Sequence, residues 1–412
     1  MRILGIASET HDSGIALVED GKPILVIEEE RLNRVKKTLA FPKHALRAAL
    51  GPDAAGISDI DVICTPWDQN ALAANALKVI LAHLPMSLSV LSQRAHTPQK
   101  NEILLLDRVI KRKFKRHFGV DKLPPIVSVG HHNAHAAMFF VSPFEKATVL
   151  VMDGYGDDAA TSIYSGQDNR LVRRWRSSLM NSLGMVYTFV TEYLGFGGFS
   201  DEGKVMALAA FGEATYVDRF RDCVRLGPEG TYAVNMDYFS FDTYGEIRPF
   251  KRKFFETFGP PRTPGSTLDD RHKAIAYALQ KVTEETILHI VRHTVASTGR
   301  KELVLSGGVA LNCVANARIL EMTDVERIWV PPCASDSGAP LGATLWHHHQ
   351  TLGNQRGFEL THPFYGLAYS DAEIRQAVAA AGLVAERMDE KSLMPRVAAD
   401  LAAGKIVGWF QG

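Results

Sequence analysis

Cysteine is scarce in this chain. There are four in 412 residues (Cys64, Cys223, Cys313 and Cys333), and none are spaced as a CxxC pair. That excludes a disulfide framework and fits a reducing compartment. Apolar residues never run for the roughly 18 positions that a membrane-spanning helix needs. Glu9 and Asp12 come too early for a secretory leader, so a soluble, cytoplasmic protein is expected. An excess of one charge is missing too. Forty-six Lys and Arg balance forty-six Asp and Glu, whereas a dedicated nucleic-acid binder carries a basic excess. What is present is ordinary for a globular protein: 46% hydrophobic and 22% charged residues, which excludes a disordered or fibrous chain. At about 100–200 residues per domain, the length allows about two to four domains.

A unit of strand, polar loop, strand and turn occurs twice. Ile3–Ala7 is an apolar run, followed by the polar Ser8–Ser13, a second strand around Ile15–Val18, the turn pair Asp20-Gly21, and a third strand, Pro23–Ile27. Near residue 147 the layout returns. Thr148–Met152 precedes the loop Asp153-Gly154-Tyr155-Gly156-Asp157-Asp158, then comes a strand at Thr161–Tyr164 and a turn at Gly166–Asn169. A repeat of that size predicts a duplicated domain rather than a solenoid. Each half also has strand-to-helix junctions: Ile126–Val129 before HHNAHA, Leu303–Leu305 before SGGVALN, and Arg327–Val330 before PPCASDSGAPLGA. Ligands in α/β sheets bind at the carboxyl ends of strands, and the polar clusters fall there.

The fold expected is α/β: two duplicated lobes at 1–145 and 146–345, with insertions at 67–124 (helical) and 213–270 (a substrate lid). Within the first insertion, Arg108–Gly119 reads as an amphipathic helix with Val109, Ile110, Phe114 and Phe118 on one face. Its basic face is read as solvated, with nucleic-acid contact as the alternative. In 346–412 a helix follows Ser370 as N-cap. An apolar strand, Lys405–Phe410, stops so near the end that a C-terminal region is expected to be truncated.

His131 and His135 lie four apart and face the same way on a helix, where two imidazoles can share one metal ion. Asp153 at the end of the repeated strand and Asp336 in a glycine-rich junction complete a mixed N/O set. Such a set suits Fe(II), Zn(II) or Mn(II) and disfavours Cu(I). Taken singly, the histidines could be helix-start residues and the aspartates caps or turn formers. Gly307, Gly308 and Asn312 form a turn whose N–H groups suit phosphate, though tight packing explains the glycines equally. Glu202 and Lys204 read as charges in a glycine-flanked loop ahead of a small-residue helix. By the duplication, His11 and Asp12 face the same cleft as the DGYGD loop. Tyr238, Phe239, Phe241 and Tyr244 could stack on a sugar or pack internally.

Seven segments in order, LGIASETHDSGIALVEDGKP, EEERLNRVKK…FP, HHNAHA, VMDGYGD, EGKVMALAAFG, SGGVALN and PPCASDSGAPLGA, resemble the NodU/CmcH family of O-carbamoyltransferases over nearly the whole chain. The resemblance implies actin-like lobes similar to those of tRNA threonylcarbamoyl transferases, followed by a YrdC-like C-terminal domain of which 346–412 would be a linker and the start. It implies carbamoyladenylate made from carbamoyl phosphate and ATP with Mg²⁺, and transfer of the carbamoyl group to a hydroxyl of an antibiotic or sugar-bearing metabolite. It places Fe²⁺ on His131, His135, Asp153 and Asp336, with Zn²⁺ or Mn²⁺ as alternatives. His11 with Asp12 becomes the catalytic pair. Gly154, Gly156, Lys204, Gly307, Gly308 and Asn312 would hold the nucleotide, and Glu202 the substrate. The partners implied are a small-molecule acceptor and carbamoyladenylate, with no membrane and no nucleic acid; a homodimer is compatible. Relatives often carry Gly and Pro where this chain has MALAAFG, and GWFQG continues where this sequence stops. Two other readings stand beside this one: threonylcarbamoyl transfer to tRNA through the basic helix, and a non-catalytic nucleotide-binding module.

Overall fold

The computed structural model describes residues 1–87, 102–245 and 248–410, so parts of both expected insertions and the last two residues lie outside it. Two compact units divide the chain, Met1–Pro363 and Phe364–Gly412.

The first unit is built on two five-stranded mixed sheets. One contains β1 (Arg2–Ala7), β2 (Gly14–Glu19), β3 (Lys22–Glu28), β4 (Val62–Thr65) and β5 (Ile126–Ser128), in the order β3-β2-β1-β4-β5. The other contains β6 (Lys146–Met152), β7 (Thr161–Gln167), β8 (Arg170–Arg176), β11 (Glu302–Ser306) and β12 (Arg327–Trp329), in the order β12-β11-β6-β7-β8. A small ribbon pairs β9 (Val224–Leu226) with β10 (Tyr232–Val234). Each large sheet runs two antiparallel hairpin pairings and then two parallel ones, so the sheets share one topology. This is the duplicated α/β arrangement that the sequence repeat predicts.

Local chemistry explains these elements. β1 is buried over five of its six residues, as expected for a strand covered on both faces, while the edge strand β3 alternates buried and exposed. Asp20 and Gly21 both have positive φ, the geometry of a two-residue hairpin turn. The edge strand β8 carries Arg170, Arg173, Arg174 and Arg176, charges that discourage pairing with another chain. Helix Leu106–Phe118 buries Val109, Ile110 and Phe114 as read from the spacing, and Leu106 besides, while Phe118 is only partly buried.

The described residues of 213–270 are folded and packed. They form helices Val217–Cys223 and Arg252–Phe258 and the β9–β10 ribbon around buried Phe220, Phe239, Phe241, Phe250, Phe254 and Phe258. Tyr238, Phe239 and Phe241 are therefore packing residues, while Tyr244 is half-buried under the Arg248 guanidinium.

In the second unit, Ser370 and Glu373 make a reciprocal capping box on helix Asp371–Ala380, and helix Glu390–Ala402 follows. The strand expected at Lys405–Phe410 does not form. A strand needs a neighbour for its N–H and C=O groups, and no described strand pairs with it.

Three consecutive histidines, His347 to His349, lie buried in a π-helical stretch, Trp346–Thr351. Burial pushes the His349 imidazole down to about 4. Its ring packs on Phe140 at 5.0 Å and its Nδ1–H donates to the Asn354 carbonyl at 3.0 Å. An unfolded histidine takes its proton near 6.5, and the folded one resists until about 4. Stability is thus complete above the unfolded value and drains as pH falls from about 6.5 to 4, by roughly 3 kcal/mol from this ring. His349→Gln should flatten that part of a Tm-against-pH profile. Identical slopes for the two proteins would refute the assignment.

Candidate metal centre

Helix His131–Ala136 follows β5, Asp153 follows β6, and Asp336 opens the short turn Asp336–Gly338 that leads from β12 into helix Ala339–Leu345. The fold thereby brings four side chains from three strand ends together: His131, His135, Asp153 and Asp336 each offer a ligand atom within 4.8 Å of the others. The two Nε2 atoms face each other at 3.2 Å. Asp153 Oδ2 lies 2.9 Å from His131 Nε2 and 3.5 Å from His135 Nε2, and Asp336 Oδ1 lies 3.4 and 3.3 Å from them. Donors about 2.1 Å from a shared ion sit about 3.0 Å apart at right angles and about 3.4 Å apart at tetrahedral angles. The spacings observed match that range. Two imidazoles and two carboxylates, all buried, are a donor set for a divalent transition metal.

The electrostatics agree. Burial alone would depress the His131 imidazole, but Asp336 and Asp153 outweigh it and hold its pKa well above the usual value. His135 is likewise raised against its burial by the same two carboxylates. Burial works to raise Asp336, and His131 reverses this and holds it far below the usual carboxylate range. Asp153 is also held low, against its burial, by the two imidazoles.

Supporting groups fix the candidate ligands. His131 Nδ1–H donates to the Pro66 carbonyl at 3.2 Å, which turns Nε2 toward the carboxylates. Trp67 stacks on the same ring at 4.0 Å. The Gly308 N–H donates to Asp153 Oδ1 at 3.0 Å. Gly307 has φ +90°, and a side chain there would collide with the Met152 carbonyl. His132, between His131 and His135, faces elsewhere: its Nδ1 meets Ser162 Oγ at 2.8 Å, and burial drives its pKa well below normal.

His11 stands beside this cluster, its Nε2 3.9 Å from Asp336 Oδ2. Its Nδ1 faces Asp12 Oδ2 at 3.2 Å, and Lys37 Nζ reaches the same oxygen at 2.7 Å. Burial disfavours the charged ring, but Asp12 and Asp336 raise its pKa overall. The Phe199 ring, at positive φ, lies 5.4 Å from the His11 ring.

The remaining residues singled out from the sequence are more dispersed. Glu202 and Lys204 sit in the first turn of helix Glu202–Ala209, not in a loop. Glu202 Oε1 accepts from the Phe199 N–H and from Thr188 Oγ, and so secures the Phe199 segment. Lys204 pairs with Asp201 and is largely exposed. Asn312 caps helix Cys313–Met322 and exchanges two hydrogen bonds with Gln280. Gly154 lies against Met185, and Gly156 against His132 and the Ala159 carbonyl.

Sequence reasoning missed Trp67, Lys37 and Asp157. The Asp157 carboxylate accepts the His131 backbone N–H at 3.0 Å from each oxygen. Its signal was the second aspartate of DGYGD. Lys37 stood in the RVKK segment. Trp67 carried no signal, because only the fold brings it to His131.

A family model described as carbamoyltransferase N-terminus matches residues 2–345. The uncharacterized protein sll1178 of Synechocystis sp. is 37% identical over 100% of this chain and 68% of its own. Nodulation protein NolNO of Sinorhizobium fredii is 32% identical over 98% of this chain and 56% of its own. Nodulation protein NolO of Bradyrhizobium diazoefficiens is 32% identical over 69% of this chain and 50% of its own. The chain thus spans between half and about two thirds of these relatives' lengths. Among solved structures, a T. kodakarensis HypF aligns over 86% of this chain and 48% of its own, at 12% identity and a TM-score of 0.44. Among the described residues no helix is long and apolar enough to cross a membrane.

Proposed function

The chain belongs to the carbamoyltransferase family, and on that premise we propose that it transfers a carbamoyl group from carbamoyladenylate to a hydroxyl of a small molecule, such as an antibiotic or a sugar-bearing metabolite. The observation that carries this reading is the four-ligand cluster with the His11–Asp12 pair 3.9 Å from one of its carboxylates. An iron(II) ion, or zinc or manganese in its place, held by His131, His135, Asp153 and Asp336 would supply Lewis acidity toward the carbamoyl oxygen.

The chain's own groups do the rest. A hydroxyl is too weak an acid to attack unaided at neutral pH. His11 donates its Nδ1–H to Asp12, which leaves Nε2 as the acceptor for the hydroxyl proton. Lys37, paired with Asp12, keeps that carboxylate ionised. The acceptor oxygen bonds to the carbamoyl carbon, the bond from that carbon to the phosphate oxygen breaks, and AMP leaves. Gly154, Gly156, Gly307, Gly308 and Asn312 are the proposed walls of the nucleotide site, with Lys204 toward the phosphate charge and Glu202 toward the acceptor. Carbamoyladenylate comes from carbamoyl phosphate and ATP, with Mg²⁺, in an adenylation half-reaction assigned to a YrdC-like region that 346–412 would begin.

The test is elemental mass spectrometry of the purified chain and its His131→Ala variant, with transfer assayed from preformed carbamoyladenylate. About one iron or zinc per chain is expected, lost in the variant together with transfer. Transfer retained by a metal-free variant would remove the metal from the mechanism.

A further inference from the structure

His131 is gripped at three points, and all of them lead back to one carboxylate. Asp157, only 2% exposed, takes the His131 backbone N–H with both oxygens at 3.0 Å. Its Oδ2 also takes the Asp68 N–H at 2.9 Å, and its own carbonyl takes the Asn75 amide at 2.9 Å. Asp68 in turn caps helix Gln69–Ala82. The residues just before Asp68 are the ones that touch the His131 ring: the Pro66 carbonyl receives Nδ1–H, and Trp67 stacks on the face at 4.0 Å and 17°.

We propose that Asp157 is a positioning residue for His131, which fixes the ligand's backbone directly and its ring indirectly by anchoring Pro66–Asp68. The inference rests on the metal reading above. Helix His131–Ala136 has no side-chain cap from its own N-cap residue, Gly130; Asp157 supplies one from across the fold. A buried carboxylate is expensive unless its oxygens are hydrogen-bonded, and here the N–H donors come from the two segments that must stay in register. Asparagine at this position would offer one acceptor oxygen and turn an amide donor toward a backbone N–H. Ligand orientation by such outer groups changes metal affinity about 10- to 100-fold.

The experiment measures Zn²⁺ affinity by competition with a chromophoric chelator, and the visible absorption of the Co²⁺-loaded protein, for wild type, Asp157→Asn and Asn75→Ala. Asn75→Ala loosens the same helix but leaves the carboxylate on His131. Affinity lowered about 10- to 100-fold in Asp157→Asn, with altered Co²⁺ bands and a near-normal Asn75→Ala, is expected. Wild-type binding with Asp157→Asn within about threefold and an unchanged spectrum overturns this inference alone, and equal losses in both variants overturn it in favour of a purely structural cap. No binding by wild type overturns the metal reading and this inference together. If Asp157→Asn does not fold, Asp157→Ser, which keeps an acceptor for one N–H only, is read the same way.

Discussion

Asp336→Asn should cost the protein its metal while leaving it folded by circular dichroism. The change is nearly isosteric, but it removes a negative charge lying 3.3 and 3.4 Å from the two imidazole Nε2 atoms. Loss of a direct ligand should exceed the roughly 100-fold upper end of outer-shell effects. The pH dependence is part of the same expectation. Metal binding needs both imidazoles neutral, yet in the metal-free cluster the carboxylates hold both pKa values above the ordinary 6.5. Protons therefore compete. Affinity for Zn²⁺ should rise as pH climbs through those raised values and fall below them, with protons released on binding. In Asp336→Asn the imidazoles lose one of the charges that raised them, so whatever binding is left should depend on pH in a lower window. Calorimetric titration in two buffers of different ionisation enthalpy counts the protons. Affinity independent of pH, or unchanged in the variant, would refute the ligand set.

Gly342→Ala is the second large expected effect, and it is one of packing. Gly342 lies on helix Ala339–Leu345, pressed against Ala134, the residue just ahead of the proposed ligand His135. A methyl group at 342 would collide with the Ala134 carbonyl carbon and oxygen, which are backbone and cannot swing away. The helices must separate. Overpacking typically costs about 1–3 kcal/mol and more where backbone must move. A lower Tm is expected, together with weaker metal retention, since Asp336 and His135 sit at the two ends of that contact. Gly203→Ala is the control: on helix Glu202–Ala209 an added methyl meets nothing within 4 Å, so alanine's better helix propensity should leave it neutral or slightly stabilised. Matching melting curves for the two variants would mean the close approach at 342 is not limiting.

Much of this was legible in the residues. The paired strands followed from hydrophobic runs interrupted by Asp20-Gly21 and by the DGYGD loop. That His131 and His135 share one helix face followed from their spacing of four. Asp153 and Asp336 were legible as residues at strand ends, but their meeting depends on β6 and β12 lying on either side of β11 in one sheet, a strand order that no local pattern encodes. The readings that failed did so for physical reasons. In 213–270 the phenylalanines were legible one by one, but not that they join the core of the second sheet beside Leu150, Ile287 and Leu303. Glu202 looked like loop charge because glycines flank it, while in fact it anchors the Phe199 N–H. Lys405–Phe410 has strand composition, and composition does not provide a partner strand. Asp157 was visible only as part of a polar loop, because its donors lie 26 and 89 residues away.

Helix Ala339–Leu345 comes late in the chain, yet it packs on β1, β2 and β4 of the first sheet and on helix His131–Ala136. On the ribosome this order has a consequence. When residue 145 emerges, the first sheet is complete but its covering helix is ~200 residues from synthesis, about 10–40 s at roughly 5–20 residues per second. For that interval a face of β-branched and leucine side chains stays uncovered. The nascent first half is therefore the stage at which this protein most needs a chaperone, and a chain released before residue 345 should be found in the insoluble fraction.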